Sequence, residues 1–259
     1  MIDLDFSLAK YEELCQAIVS SEYVPVTMHE YLKQDHPNSC LILRHDVDRK
    51  PIQAFKMGRI EHEYNLKSTY YFRTVKEVFQ PQIINKIEGL GHEVGYHYEV
   101  LDVAKGDVNK AILIFKEDLR KFREIADVRT ICMHGNPLTP WLNSDIWKEY
   151  NFNDFGLMGE AYLSIDSTEV SYFTETGRAW NSSKHSIKDI MSANTYGDRI
   201  ESTNELICLI KSGSLRNICI LTHPNRWVDN FGDWLIEFAW QNIKNAGKAM
   251  IKHKKRSND

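Results

Sequence analysis

The stretch LILRHDVDRKP, residues 41–51, decides how the rest of the chain is interpreted. It begins with an apolar run that has the character of a buried strand, and the run ends in a basic residue, a histidine and two aspartates. Ionisable groups at the end of a buried strand are energetically costly unless they bind something. Asp46 and Asp48 therefore predict a binding site at this strand end.

The size and composition of the chain are those of an ordinary globular protein. Of its 259 residues, 42% are hydrophobic and 26% are charged, which is sufficient to bury a full core. We expect one domain over residues 1–259, with an N-terminal helical extension over about residues 1–38. The formal net charge of −4 gives no general attraction to nucleic acid or to an anionic membrane. The locally basic end, KHKKRSND, predicts a solvated terminus.

Several absences bear on where the protein acts. No apolar run approaches the ~18 residues that a membrane-spanning helix needs. The N-terminal stretch MIDLDFSLAKYEELCQ is acidic where targeting peptides are basic. The five cysteines form no CxxC pair and have the character of reduced thiols. These features predict a cytoplasmic protein without a membrane span, and they leave its oligomeric state open.

Strand-like runs alternate with segments of helical periodicity along the chain. Strands are predicted at CLILRHD, KSTYYFR, HEVGYHYE, RTICMHG, EVSYFTE and NICILTHP, and a long C-terminal helix is predicted from Trp234 to Lys252. Asp107 is the predicted N-cap of a helix, and Pro51 suits the first turn of another. Repeated strand–helix units favour a parallel sheet, either open or closed into a barrel.

Potential ligands and acid–base groups follow the predicted strands at the point where each strand ends. They are Asp46, Asp48, His97, Glu99, His134 and His223. In barrels and in open α/β sheets, the carboxyl ends of the strands form the edge at which active sites are built. One buried histidine is more often a core residue than a ligand, but the repetition at four strand ends favours a site.

Three stretches that contain these residues resemble motifs of the polysaccharide deacetylase family. Members of that family are carbohydrate esterases that remove N-acetyl groups from sugars. The stretches are RHDVD, LGHEVGYH and ILTHP, and the resemblance extends from about Cys40 to Trp227. It implies an α/β fold, an irregular (β/α) barrel of about seven parallel strands. It also implies a bound divalent metal, usually zinc.

The resemblance also implies roles for individual residues. It assigns a general base to Asp46, metal ligands to Asp48 and His97, and to His223 the acid that protonates the departing amine. These residue types suit the chemistry, because a carboxylate and an imidazole bind zinc and a second carboxylate is available to take a proton from the metal-bound water.

Two features depart from the pattern of the family. Leu101 stands where the family has a second histidine ligand, so we predict that His134 supplies the third ligand, with Glu99 as the alternative. The family's arginine-containing third motif is also absent. Arg178 and Trp180 are candidates to bind substrate in its place, as is Glu99, and the other interpretation of the first two is that they close a loop.

The sequence supports three hypotheses on function. The first is a metal-dependent deacetylase that hydrolyses an N-acetyl group on a sugar or glycan precursor. The second is a catalytically inactive deacetylase-like barrel that binds carbohydrate or a protein partner, which the missing second histidine favours. The third is another metal-dependent hydrolase of amides or esters on the same scaffold.

Overall fold

The computed structural model describes residues 4–33, 39–180 and 200–256. Helices and strands alternate through these residues. The strands are β1 (Val24–Val26), β2 (Cys40–Val47), β3 (Thr69–Phe72), β4 (Glu93–Tyr98), β5 (Thr130–Met133), β6 (Gly159–Glu160), β7 (Val170–Thr174) and β8 (Asn217–Thr222). The α-helices are α1 (Leu8–Val19), α2 (Met28–Leu32), α3 (Pro51–Glu63), α4 (Pro81–Gly89), α5 (Val100–Val103), α6 (Val108–Arg123), α7 (Thr203–Ser212) and α8 (Phe231–Arg256).

All strand pairings in the described residues are parallel. Seven strands follow one path in the order β6-β5-β4-β3-β2-β8-β7, and β1 pairs with the first half of β2. β2 therefore lies inside the sheet, where His45 is in register with Tyr70 of β3 and Thr222 of β8. Within the described residues β6 and β7 do not pair with each other, so the barrel stays open between them.

The sheet curls into a barrel around a buried interior. Ile42 of β2, Tyr71 of β3, Cys132 of β5 and Tyr172 of β7 belong to a single buried cluster, although β5 and β7 lie near opposite ends of the strand path. Side chains from such distant strands meet only if the sheet wraps around them. This arrangement confirms the predicted α/β fold, an irregular (β/α) barrel with about seven parallel strands.

Alternation along β2 separates the barrel interior from its helix-covered outside. Leu41 and Leu43 pack outward in a cluster with residues of α1 and α7, whereas Ile42 packs inward. Successive residues of a strand point to opposite faces, so Arg44 and Asp46 belong to the same face as Ile42. The burial of a strand on both faces explains why its sequence is a continuous apolar run.

Local signals in the sequence fix the ends of several elements. The Asp107 side chain caps α6 by accepting a hydrogen bond from the backbone N–H of Lys110 at 3.0 Å, and Pro51 opens α3.

The six predicted strands and the long C-terminal helix are present, and the cysteines are free thiols. The predicted N-terminal helical extension also contains β1, which joins the sheet, while residues 1–3 and 34–38 of it lie outside the described residues. Within the described residues, no helix combines the length and the apolar character that crossing a membrane requires.

Candidate active site

Three histidines from three strand ends surround the carboxylate of Asp48. Its Oδ1 atom lies 3.5 Å from Nε2 of His97 and 3.6 Å from Nε2 of His134. Its Oδ2 atom lies 4.0 Å from Nε2 of His223. Burial raises the pKa of Asp48, but the contact with His97 and the charges of His134 and His223 outweigh burial and hold that pKa well below its ordinary value. The Oδ1 atom is buried and accepts no hydrogen bond.

A ring contact positions His97, and a backbone hydrogen bond positions the residue that carries the second imidazole. Nδ1 of His97 lies 3.0 Å from the carbonyl oxygen of Cys132, and a carbonyl only accepts, so Nδ1 carries the proton and donates it. Nε2 of His97 faces the two aspartates, at 3.7 Å from Oδ2 of Asp46 and 3.5 Å from Oδ1 of Asp48. His134 lies immediately after β5, where its backbone N–H donates to the carbonyl of Tyr98 at 2.8 Å.

Glu99 lies behind His134, with Oε2 at 3.3 Å from Nδ1 of that histidine. Arg73 binds the same carboxylate on both oxygens, with Nε at 3.0 Å from Oε1 and Nη2 at 2.6 Å from Oε2. Burial raises the pKa of Glu99, but the nearby His134 and Arg73 lower it to about 2. Glu99 is therefore an ionised carboxylate held by an arginine on one side and a histidine on the other.

Arg44 is a site residue that the sequence analysis missed. It is fully buried and donates two hydrogen bonds to Asp46, from Nε to Oδ1 at 3.0 Å and from Nη2 to Oδ2 at 2.9 Å. Burial raises the pKa of Asp46, but the charges of Arg44 and His97 overcome this effect and lower it. The signal in the sequence was the spacing of two, which places both residues on one face of β2.

The sequence analysis also missed Glu175, which follows β7. Its side chain is completely buried and accepts a hydrogen bond from the backbone N–H of His223, while Oε1 lies 3.4 Å from Nδ1 of that imidazole. Arg226 binds the other oxygen of Glu175 and lies 3.0 Å from Nδ1 of His223. Burial raises the pKa of Glu175, but Arg226 and His223 lower it below its ordinary value.

The structure places Arg178 and Trp180 in packing contacts. Trp180 is 0% exposed, and its indole N–H donates to Oγ1 of Thr203 at 2.9 Å, so neither ring face is open to a ligand. Arg178 donates from Nη1 to the carbonyl of Trp234 at 2.9 Å and stacks over the ring of the same residue. Both contacts correspond to the loop-closing interpretation. Leu101, at the position of the absent histidine, is buried in the core.

Two groups of three ligand atoms lie within 4.8 Å of one another in the described residues: Asp46, His97 and Cys132 in one, and Glu99, Asp102 and His134 in the other. In the first group Arg44 already supplies a cation. In the second group Arg73 binds Glu99, and Trp141 donates to Asp102 at 2.7 Å. Asp48 belongs to neither group but contacts one histidine of each, and its Oδ1 accepts no hydrogen bond.

Comparison with known proteins gives likenesses of fold. No family model matches the chain, and no curated protein matches it closely. Similar solved structures include three of BA3943, a CE4 family pseudoenzyme: the wild type from Bacillus anthracis, a mutant, and a mutant with restored enzymatic activity. Each is 14% identical with a TM-score of 0.40.

The described residues form an open, irregular (β/α) barrel of parallel strands. The parallel strand order and the curled sheet described above are the features of this chain that agree with the barrel implied by the sequence resemblance. The alignments with BA3943 cover 82 to 83% of this chain but only 62 to 65% of the BA3943 chains, so this chain spans less than two thirds of the length of those structures.

Proposed function

We propose that the chain is a metal-dependent deacetylase that hydrolyses an N-acetyl group on a sugar or glycan precursor. The observation that carries this proposal is the Oδ1 atom of Asp48, which is buried, accepts no hydrogen bond and faces Nε2 of two histidines. An acidic oxygen is rarely left unpaired inside a protein unless an ion or water completes its contacts.

Asp48, His97 and His134 have the donor chemistry of a zinc site. In a tetrahedral site with bonds of about 2.0–2.1 Å, neighbouring ligand atoms lie roughly 3.3–3.4 Å apart. The separations of 3.5 Å and 3.6 Å from Oδ1 of Asp48 to the two Nε2 atoms are close to this value. A divalent metal held by these residues supplies a Lewis acid that lowers the pKa of bound water and polarises the amide carbonyl.

Asp46 is the general base of the proposal. Its Oδ2 atom lies 3.7 Å from Nε2 of His97, so it adjoins the proposed metal ligands, and Arg44 occupies both of its oxygens. The guanidinium keeps Asp46 ionised in a buried place where a lone carboxyl would tend to hold its proton. In this role Asp46 takes a proton from the attacking water.

His223 is the general acid of the proposal. Its Nε2 atom faces the site near Asp48, while Nδ1 faces Glu175 and Arg226. Glu175 accepts a hydrogen bond from the backbone N–H of His223 and binds Arg226, which lies beside Nδ1, so these two residues fix the direction of the ring. Nε2 can then deliver a proton to the departing amine, and Glu175 acts as the positioning residue.

The test is release of acetate from a panel of N-acetylated sugars and oligosaccharides, measured after chelation and after zinc is restored. Asp46→Asn and His223→Asn should each lower the rate by about 10²–10⁴-fold, the usual contribution of an acid–base group. Asp229→Asn is the matched control, because this aspartate pairs with Lys56 at the protein surface. Absence of acetate release from the zinc-loaded protein across the panel would overturn the proposal, and hydrolysis of other amides or esters instead would support the third hypothesis.

A further inference from the structure

Helix α8 exposes an apolar face to solvent. Ile236 and Ile243 are each 65% exposed, and Leu235 is 50% exposed. The large exposed hydrophobic residues of this helix are Phe231, Leu235, Ile236, Phe238, Trp240 and Ile243. Scattered exposed apolar side chains are ordinary, but a contiguous group of this kind marks a surface that binds a partner or a membrane.

The inward side of α8 is polar, which is the reverse of a helix that packs on a core. Glu237 and Gln241 are only 4% and 6% exposed. Glu237 forms ion pairs with Lys50 and Arg49, which follow Asp48 directly in the chain. The helix is therefore anchored by these ion pairs and by Trp234, which stacks on Arg178, while its exposed apolar residues face away from the protein. A helix in water normally has the opposite arrangement.

A strongly basic stretch continues from the apolar one. Residues 244–256, KNAGKAMIKHKKR, contain six lysines and arginines and no acidic residue, although the net charge of the whole chain is −4. Lys244, Lys248 and Lys252 recur at intervals of four residues in this sequence. α8 extends through this stretch to Arg256.

We propose that α8 is an interfacial helix that binds the surface of a membrane containing anionic lipids. The exposed aromatic and aliphatic residues would enter the boundary between headgroups and acyl chains, and the basic stretch would bind the lipid phosphates. Apolar burial combined with lysine-rich attraction is the known basis of such binding, and it requires no membrane-spanning segment. The basic end of the chain then has a partner and is more than a solvated terminus.

A second copy of the chain fits this surface less well than an anionic membrane. The acidic residues beside the apolar face are already committed: Asp229 pairs with Lys56, Glu237 with Lys50, and Asp233 accepts a hydrogen bond from Asn230. A second copy would therefore offer little free negative charge to the basic stretch. Anionic headgroups supply that charge over the whole length of the helix.

The proposal is tested by sedimentation of the full chain with vesicles of phosphatidylcholine alone and of phosphatidylcholine mixed with phosphatidylglycerol. We expect binding to the anionic vesicles to be at least about tenfold tighter, and to weaken with added salt, because screening reduces the lysine contribution. The measurement needs neither metal nor substrate, so its outcome is independent of whether the chain is a deacetylase.

Two variants separate the apolar and the basic contributions. Leu235→Glu combined with Ile236→Glu and Ile243→Glu should weaken binding to anionic vesicles by at least about tenfold. Lys244→Gln combined with Lys248→Gln and Lys252→Gln should remove most of the preference for anionic lipid and its salt dependence. The matched control is Leu113→Glu, because this residue of α6 is 64% exposed and should tolerate the change without effect on binding.

Thermal unfolding of each variant should resemble that of the wild type, because the substituted side chains of the apolar face are exposed. Failure of the wild-type chain to bind anionic vesicles would overturn the proposal. So would a stable dimer in solution that the triple glutamate variant dissociates, since that result would assign the apolar face to a second copy of the chain.

Discussion

Arg44 binds Asp46 through both carboxylate oxygens, although only one residue separates them along β2. The two hydrogen bonds measure 3.0 Å and 2.9 Å, and both side chains are buried. Alternation of side chains along a strand makes this contact possible, because residues i and i+2 project from the same face. The arginine that steadies the proposed base therefore comes from the same strand as the base.

Substitution of Arg44 should destabilise the fold strongly. Arg44→Met leaves the buried carboxylate of Asp46 without its cation, and we expect the free energy of unfolding to fall by about 3–5 kcal/mol. Urea unfolding at neutral pH measures the change. Arg44→Lys should fall between the wild type and Arg44→Met, because lysine restores the charge but cannot form the two-point contact.

The double variant Arg44→Met with Asp46→Leu is the control for that prediction. It removes the carboxylate together with its partner, so it should recover part of the stability that Arg44→Met loses. If Arg44→Met lost less than about 1 kcal/mol, or if the double variant were no more stable than the single one, the ion pair would not have the importance that we assign to it.

The strand ends were predictable from the sequence because two local rules coincide there. Apolar runs identified the buried strands, and polar residues that follow such runs predicted that Asp48 and His97 lie at one edge of the sheet. The structure brings these two residues to 3.5 Å. The assignment of metal ligands among them remains a prediction that the experiments below address.

The contacts that support the site were not predictable in the same way, because they depend on how the sheet curls. Glu175 directly follows β7, the last strand of the path, and nothing in the stretch EVSYFTE indicates that its side chain reaches His223. Tryptophan is a residue type that suits sugar binding, yet the side chain of Trp180 is completely buried. Residue type indicates what a side chain can do, but exposure is decided by packing between distant segments.

Loss of metal should distinguish the proposed ligands from the proposed base. Asp48→Ala and His97→Ala should each abolish stoichiometric zinc binding, because each removes one of three ligands. Asp46→Asn should retain the metal and lose turnover, since its role begins only when a proton moves. Metal content of protein purified without chelator, together with titration calorimetry, measures zinc binding. Acetate release measures turnover. An Asp46→Asn protein without metal, beside an Asp48→Asn protein that keeps it, would reverse the two assignments.

His134 and Glu99 should differ in their effect on metal affinity. His134→Ala should weaken zinc binding by more than about 100-fold as a lost ligand, whereas Glu99→Gln should weaken it by about 10–100-fold as a lost support of that ligand. His62→Ala is the control, because His62 is an exposed histidine on α3. Wild-type zinc affinity in His134→Ala would exclude His134 as the third ligand and favour Glu99.

Glu61 is the centre of a buried polar network on the outer side of β2, and it should make stability sensitive to acid. Its carboxylate lies 2.7 Å from Nε2 of His45 and accepts hydrogen bonds from Ser68 at 2.6 Å and Tyr70 at 2.9 Å. Burial raises the pKa of Glu61, but the charge and hydrogen bond of His45 lead a set of contacts that lower it from 4.5 to about 2. The ionised form is therefore favoured by folding.

Because the pKa of Glu61 is lower in the folded state than in the unfolded state, its ionised form stabilises the fold at every pH above the unfolded pKa. This contribution disappears as the pH falls from about 4.5 towards about 2. A difference of this size corresponds to about 3 kcal/mol at neutral pH. Glu61→Gln should lose that amount at pH 7 and flatten the decline of stability in acid, as measured by urea unfolding across this pH range. Glu63→Gln, an exposed position on the same helix, should behave as the wild type does. If Glu61→Gln showed the same acid dependence as Glu63→Gln, the network would not be the source of the effect.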